Sequence, residues 1–290
     1  MEPYDDVATL PGGPRLALSR TDGERRPLLL VHGLASNART WDGVAATLAA
    51  AGHEVVALDQ RGHGRSEQAA DGYSTAQCAA DLVQLIELLG FTGERAPVVA
   101  GQSWGGNVVA DLATRKGLVA GLALVDGGWI RLADRFPTFD DCWAALAPPR
   151  FDGMRADQLT RRLAEAHPDW SDDGLAATMA NFELLDDGSV RPWLRREHHR
   201  DIVRSLFEGD PAALFSQIEA PVLLVPVVAD PPGEADVAKR SAVAEAESLL
   251  ADASVRWYLG ADHDVHVQQP QRLADDLLGL VSRVDERGAA

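Results

Sequence analysis

The stretch Val98-Val99-Ala100-Gly101-Gln102-Ser103-Trp104-Gly105-Gly106-Asn107-Val108-Val109-Ala110 decides how the chain is read. It passes from a short apolar segment through Gly-x-Ser-x-Gly into a helical pattern. A serine on a tight strand-to-helix turn takes backbone angles that crowd any side chain two residues to either side. Glycine at 101 and 105 relieves that crowding, and the turn lifts the Ser103 hydroxyl clear of the strand ends. The helix that follows points its free N–H groups at the same place. An ordinary Gly-rich turn with a capping serine would share the glycines but not the flanks. An apolar strand before it and an unbroken periodic helix after it make this stretch a nucleophile elbow.

Upstream, Pro27-Leu28-Leu29-Leu30-Val31 is a continuous apolar run, the mark of a strand covered on both faces, and it ends in His32-Gly33-Leu34-Ala35-Ser36. Glu54-Val55-Val56-Ala57-Leu58-Asp59 and Gly121-Leu122-Ala123-Leu124-Val125-Asp126 read the same way. The segments near 7–10 and 15–20 flank Pro11-Gly12-Gly13-Pro14 as a hairpin. Helical patterns cover about 40–51 and 74–89, and run from the elbow to about 116. Such alternation implies a parallel sheet with helices on both faces. Sites in these sheets lie beyond the carboxyl ends of the strands, where His32, Asp59, Ser103 and Asp126 all stand.

From 127 to about 217 the rhythm breaks. Four of the seven tryptophans fall here (Trp129, Trp143, Trp170, Trp193), with much Asp and Arg and no strong strand. The segment reads as a mainly helical insertion, placed to act as a lid over the strand ends. The sheet resumes over 221–230. A helix follows at 235–252, then a last strand at 254–259 leading to Gly260-Ala261-Asp262-His263, and a final helix begins near Pro270.

A serine hydroxyl at neutral pH needs a base, and the base needs an orienting acid. His263 follows the last strand and Asp230 the one before it, so the chain order is serine, acid, histidine. With these residues the chain resembles the α/β-hydrolase superfamily over most of its length. His32-Gly33 is similar to the family's oxyanion loop, which implies one donor N–H from Leu34 and a second from Trp104, directly after the nucleophile. Asp59-Gln60-Arg61-Gly62-His63-Gly64-Arg65-Ser66 resembles a structural turn of that family. Pro221 to Asp230 is similar to the segment that carries the acid, although Val227 stands where the family has glycine and Pro231-Pro232 follows. Some members carry the acid after the sixth strand instead, where this chain has Asp126. The reading favours Asp230, with Asp126 as the alternative acid.

The resemblance implies an α/β-hydrolase fold: a mostly parallel eight-stranded sheet, helices on both faces and a helical cap inserted after the sixth strand. The core would be 1–127 and 218–290, the cap 128–217. The implied activity is that of a serine hydrolase on a small, mostly neutral or apolar ester, lactone or thioester, through an acyl-enzyme on Ser103, His263 and Asp230. C–C bond cleavage, acyl transfer or perhydrolysis on the same triad, or ligand binding by a vestigial one, are the alternatives. No cofactor is required. No metal is expected either, because nothing elsewhere completes a ligand set around Asp262-His263-Asp264-Val265-His266. Trp129 is expected to line the substrate pocket, and His32 to brace its loop.

Composition bounds the rest. A chain of 290 residues with net charge −17 offers no basic patch that could dominate its field, which argues against nucleic-acid and anionic-membrane partners. No run of eighteen apolar residues and no signal-peptide pattern appears. Cys78 and Cys142 offer no disulfide framework. The expectation is a cytoplasmic monomer or homodimer acting on a small-molecule substrate.

Overall fold

The computed structural model describes residues 6–233 and 235–288. Strands β1 (Asp6–Thr9) and β2 (Arg15–Thr21) form the expected antiparallel hairpin, followed by β3 (Arg25–Val31). Then α1 (Asp42–Ala50), β4 (His53–Leu58), α2 (Thr75–Leu88), β5 (Val98–Gln102), α3 (Trp104–Leu112) and β6 (Gly121–Val125) alternate. Helix α3 thus stops at Leu112, short of the expected 116.

Eight strands make one sheet in the order β1-β2-β4-β3-β5-β6-β9-β11, where β9 is Val222–Val225 and β11 is Ala253–Val255. Pairing is antiparallel at β1/β2 and β2/β4 and parallel from β4 onward. The apolar runs bury both faces because successive side chains in a strand point opposite ways. Leu28 and Leu30 pack with Val44, Leu48, Leu273 and Leu277 on one side. Leu29 and Val31 pack with Leu82, Leu85, Val108 and Leu112 on the other. Each of these fully buried side chains contributes roughly 2 kcal/mol of transfer free energy.

Between β6 and β9 lie α4 (Phe139–Leu146), α5 (Ala156–Ala166), α6 (Asp172–Met179), α7 (Arg196–Glu208) and α8 (Ala212–Phe215). A two-stranded hairpin, β7 (Phe182–Leu184) with β8 (Val190–Pro192), interrupts the helices. The sequence showed no strand there because three residues are too few to display alternation.

The expected single strand over 221–230 is broken. Pro226 has no N–H to give to a ladder, so β9 ends at Val225. A short β10 (Val227–Val228) then pairs with β12 (Tyr258–Leu259) as a separate ribbon. The last strand is likewise split into β11 and β12. Helix α9 (Ala235–Leu249) lies between β10 and β11, and α10 (Val265–Gln268) and α11 (Pro270–Gly288) complete the described chain.

Candidate active site

Ser103 sits between β5 and α3 at φ 54°, ψ −125°. Its N–H donates to the Val125 carbonyl at 2.9 Å, which ties the elbow to the end of β6. The glycines are steric requirements. A Cβ on Gly101 would lie 2.3 Å from the Gly105 carbonyl oxygen, and one on Gly105 would lie 2.4 Å from that of His32. Among the described residues, Ala35, Ser103 and Asp126 are the non-glycine residues with positive φ, and all three stand in strand-end loops. Such conformations persist only where the surroundings over-determine them, and they cluster at functional sites.

His263, in the loop after β12, donates from Nδ1 to Asp126 Oδ2 at 2.6 Å. Asp126 is almost wholly buried, with 1% of its side chain exposed, whereas the His263 ring is 54% exposed. Asp126 Oδ1 accepts from the Val227 N–H at 3.0 Å and from Lys239 Nζ at 2.8 Å. Burial alone would raise the Asp126 carboxyl, but the hydrogen bonds and charges of His263 and Lys239 outweigh it and hold the pKa below the ordinary range. For His263, burial works to lower the pKa and the Asp126 carboxylate overcomes it, so the imidazole lies above its ordinary value. Gln102, next to Ser103, donates from Nε2 to the His263 carbonyl at 3.1 Å, joining the two loops. Among the described residues the Ser103 hydroxyl has no hydrogen-bond partner. Catalytic hydrogen bonds of this kind commonly close only when substrate is bound.

The structure thus corrects the expected acid: the carboxylate brought to His263 is Asp126, not Asp230. Asp230 lies exposed beside Gly260, beyond the break at Pro226. The segment expected to carry the acid instead gives its Val227 N–H to Asp126, at the end of the neighbouring strand.

Leu34 is half-buried in the loop after β3, and Trp104 opens α3, where its N–H has no intrahelical carbonyl to reach. The loop between them is braced by two buried histidines. His32 Nδ1 donates to the Gly33 carbonyl at 2.7 Å and Nε2 accepts from Gln60 N–H at 3.0 Å. His63 Nδ1 donates to the Arg61 carbonyl at 2.9 Å and Nε2 accepts from Ala35 N–H at 3.2 Å. These partners require neutral rings, and burial pushes His32 down to about 4 and His63 well below its ordinary value. The bracing expected of His32 is therefore shared by His63, for which no role was expected. Asp59, through Ala38 and Arg65 N–H groups at 2.7 Å each, holds the structural turn.

Trp129 is corrected as well. Asn107 binds the Gly128 N–H and the Ile130 carbonyl, turning the chain back on α3, and Trp129 packs into the core instead of a pocket. Trp193 lines the cavity in its stead. This cavity, of about 840 Å³, lies between Ala35, Ser36 and His63 on the core side and Phe151, Phe182, Trp193 and His199 of the insertion. It abuts the loop after β3, and Ser103 itself is not among its lining residues. The insertion is tied to the histidine loop at Asp262, whose Oδ2 accepts from His167 Nδ1 and Trp170 Nε1, each at 2.9 Å.

The model of the alpha/beta hydrolase family matches residues 28–276. A non-heme chloroperoxidase of Streptomyces lividans is 28% identical over 263 residues, covering 88% of this chain and 91% of that one. Among solved structures, an E-2-(acetamidomethylene)succinate hydrolase superposes with a TM-score of 0.75 at 21% identity, covering 93% and 96% of the two chains. A thioesterase domain from the curacin biosynthetic pathway gives 0.73 at 22%, covering 94% and 98%. The chain belongs to the α/β-hydrolase family and is an α/β-fold hydrolase. Among the described residues no helix is long and apolar enough to cross a membrane.

Proposed function

We propose that the protein is a serine hydrolase using Ser103 as nucleophile, His263 as base and Asp126 as the orienting acid. The observation that carries this is the 2.6 Å His263–Asp126 bond at the strand end to which the strained Ser103 elbow is tied. Ser103 Oγ forms a bond to the substrate carbonyl carbon as its proton passes to His263 Nε2. The Leu34 and Trp104 N–H groups receive the oxyanion. Collapse breaks the bond to the leaving alcohol or thiol, which takes the proton from His263. Water, deprotonated by the same ring, then releases the acid and restores Ser103. Asp126 keeps the proton on Nδ1, so that Nε2 faces the serine as an acceptor.

The substrate class we propose is a small, mostly neutral or apolar ester, lactone or thioester. The cavity beside the oxyanion loop, with Phe151, Phe182 and Trp193 in its wall, supports an apolar acyl or leaving group. Segment 128–217 acts as the lid over it. A second reading, perhydrolysis, is favoured by the chloroperoxidase relative: hydrogen peroxide replaces water and the acyl-enzyme yields a peracid.

The test is intact mass after a fluorophosphonate probe. One adduct on the wild type, absent from Ser103→Ala, is the expected result, followed by turnover of activated esters. Folded wild type that takes no adduct and turns over no ester would overturn the reading in favour of a ligand-binding protein. Peracid formation that outpaces hydrolysis at millimolar peroxide would select the second reading.

A further inference from the structure

The group at the site that neither the elbow nor the triad uses is Lys239. It projects from α9 to the end of β6, and its ammonium donates to Asp126 Oδ1 at 2.8 Å, to Asp126 Oδ2 at 3.0 Å and to the Val227 carbonyl at 2.7 Å. An ammonium has three protons, and three acceptors surround it. Asp126 Oδ2 is therefore shared between Lys239 and the Nδ1–H of His263. The carboxylate sits between two cationic partners, one fixed and one that titrates.

The sequence marks this position in a second way. Of the 27 basic residues in the chain, lysine occurs only at 116 and 239; all the others are arginine. Lys116 lies on the surface against Glu219. Lys239 is the one that reaches into the protein, with 31% of its side chain exposed. A guanidinium presents its donors as a planar fork, which suits two acceptors in one plane. A compact ammonium suits one carboxylate and a carbonyl converging from different directions. A chain that otherwise relies almost wholly on arginine has placed one of its two lysines where the chemistry of the head group matters.

We infer that Lys239 is a positioning residue that withholds part of the Asp126 charge from His263, and so sets the pH at which the imidazole becomes a free base. This inference rests on the triad reading above. A buried carboxylate facing only an imidazole strengthens it as a base and raises its pKa, so the ring stays protonated, and unable to accept the serine proton, to a higher pH. A permanent cation on the same carboxylate opposes that rise. It also holds the carboxylate in place when His263 is neutral, so the orienting bond survives both protonation states of the ring.

The other charged and titratable groups around His263 come from several elements. Asp264 and Asp262 flank it in its own loop, His266 follows on α10, and His167 reaches Asp262 from the insertion. Of these, Asp264 acts to raise His263, in the same direction as Asp126, while Lys239 opposes both. Besides the His263 ring itself, no cation other than Lys239 touches the Asp126 carboxylate among the described residues, so the moderation depends on residue 239.

The experiment follows the His263 Cε1–H resonance across pH in the folded protein, assigned by its loss in His263→Gln. Lys239→Met removes the charge and keeps most of the stem. Its His263 midpoint is expected to rise by about one pH unit, a tenfold gain in proton affinity. The acid limb of kcat/KM on an activated ester is expected to move the same way. Lys239→Cys provides an independent route. It should show the raised midpoint, and aminoethylation of the thiol, which restores an ammonium at nearly the same reach, should return the midpoint toward wild type. The buried Cys78 and Cys142 are protected from the reagent in the folded protein. A merely structural lysine would lower the thermal midpoint and leave the titration in place. A midpoint that is unchanged or lower in both folded variants overturns the inference. The titration needs no turnover, so it is decided separately from whether the fluorophosphonate labels Ser103.

Discussion

Strand β6 runs beside β9, and each of β6 and the broken β9–β10 segment leads into an aspartate. The fate of the two carboxylates is opposite. Asp126 follows β6 directly, at φ 42°, with its side chain buried against His263, Lys239 and the Val227 N–H. Asp230 follows a strand broken at Pro226, and its side chain is exposed. Position at a strand end brings a residue near the site, but the last two or three backbone angles decide where its side chain goes. At β6 the chain accepts a strained residue and fills the space around it. At β10 it turns outward.

The largest effect that could break this contrast comes from removing each carboxylate in turn. Asp126→Asn keeps the shape but lets the amide donate to His263, favouring the wrong tautomer. We expect kcat/KM to fall by about 10³–10⁴-fold with the fold intact. Asp230→Asn is expected to stay within about threefold of wild type, the range of a surface substitution. Steady-state rates on an activated ester decide it, and a reversal of the two would move the acid back to Asp230.

A smaller effect separates the glycines beside the two aspartates. A Cβ on Gly127 would lie 2.1 Å from the Ser103 carbonyl oxygen and 2.5 Å from its Cα, both backbone atoms. Gly127→Ala must therefore displace the elbow, at a cost of about 3 kcal/mol in stability and with loss of fluorophosphonate labelling. Gly260, next to Asp230, meets only that residue's Cβ at 3.3 Å, although its φ is +68°. Gly260→Ala is expected to cost about 1 kcal/mol, the strain of a left-handed alanine, and to leave labelling intact. Denaturant midpoints with labelling at saturation distinguish the two positions.

The same contrast explains what the sequence could and could not tell. The turn at Ser103 was legible because it imposes glycine at fixed spacing, and the place of His263 because it follows the last strand. The carboxylate that partners His263 was not, because both β6 and the strand expected over 221–230 lead into an Asp, and the choice between them depends on Pro226 breaking the ladder and on the φ of Asp126. Trp129 misled for a related reason. An aromatic residue after a strand end can face a pocket or the core, and here Asn107 turns it inward. Lys239 left one sign in the sequence, its rarity beside so many arginines. Its target could not be read from an Ala- and Glu-rich helix.

The smallest effect concerns how the histidines of this region titrate. His263 has a carboxylate partner and a raised pKa. Its contribution to stability is therefore full below the unfolded-state value near 6.5 and is lost as pH rises through the folded midpoint. The contribution is small, because half the ring is exposed and water screens the pair. His32 and His266 are buried without a carboxylate, and burial pushes them down to about 4 and about 3. Their sign is opposite: stability is full above pH 6.5 and falls as pH drops toward those values, by roughly 1 kcal/mol per pH unit for each ring. His266 packs at 4.7 Å from Trp41, and among the described residues neither of its ring nitrogens has a hydrogen-bond partner. Replacing it by phenylalanine should therefore flatten the acid side of the stability curve by one proton's slope while leaving the alkaline side alone. Asp126→Asn should do the converse, removing the shallow decline above neutrality and leaving the acid slope set by the buried rings. Urea midpoints measured from pH 4 to 8 on the three proteins read both slopes, and equal acid slopes in wild type and His266→Phe would show that this ring is not held neutral by burial.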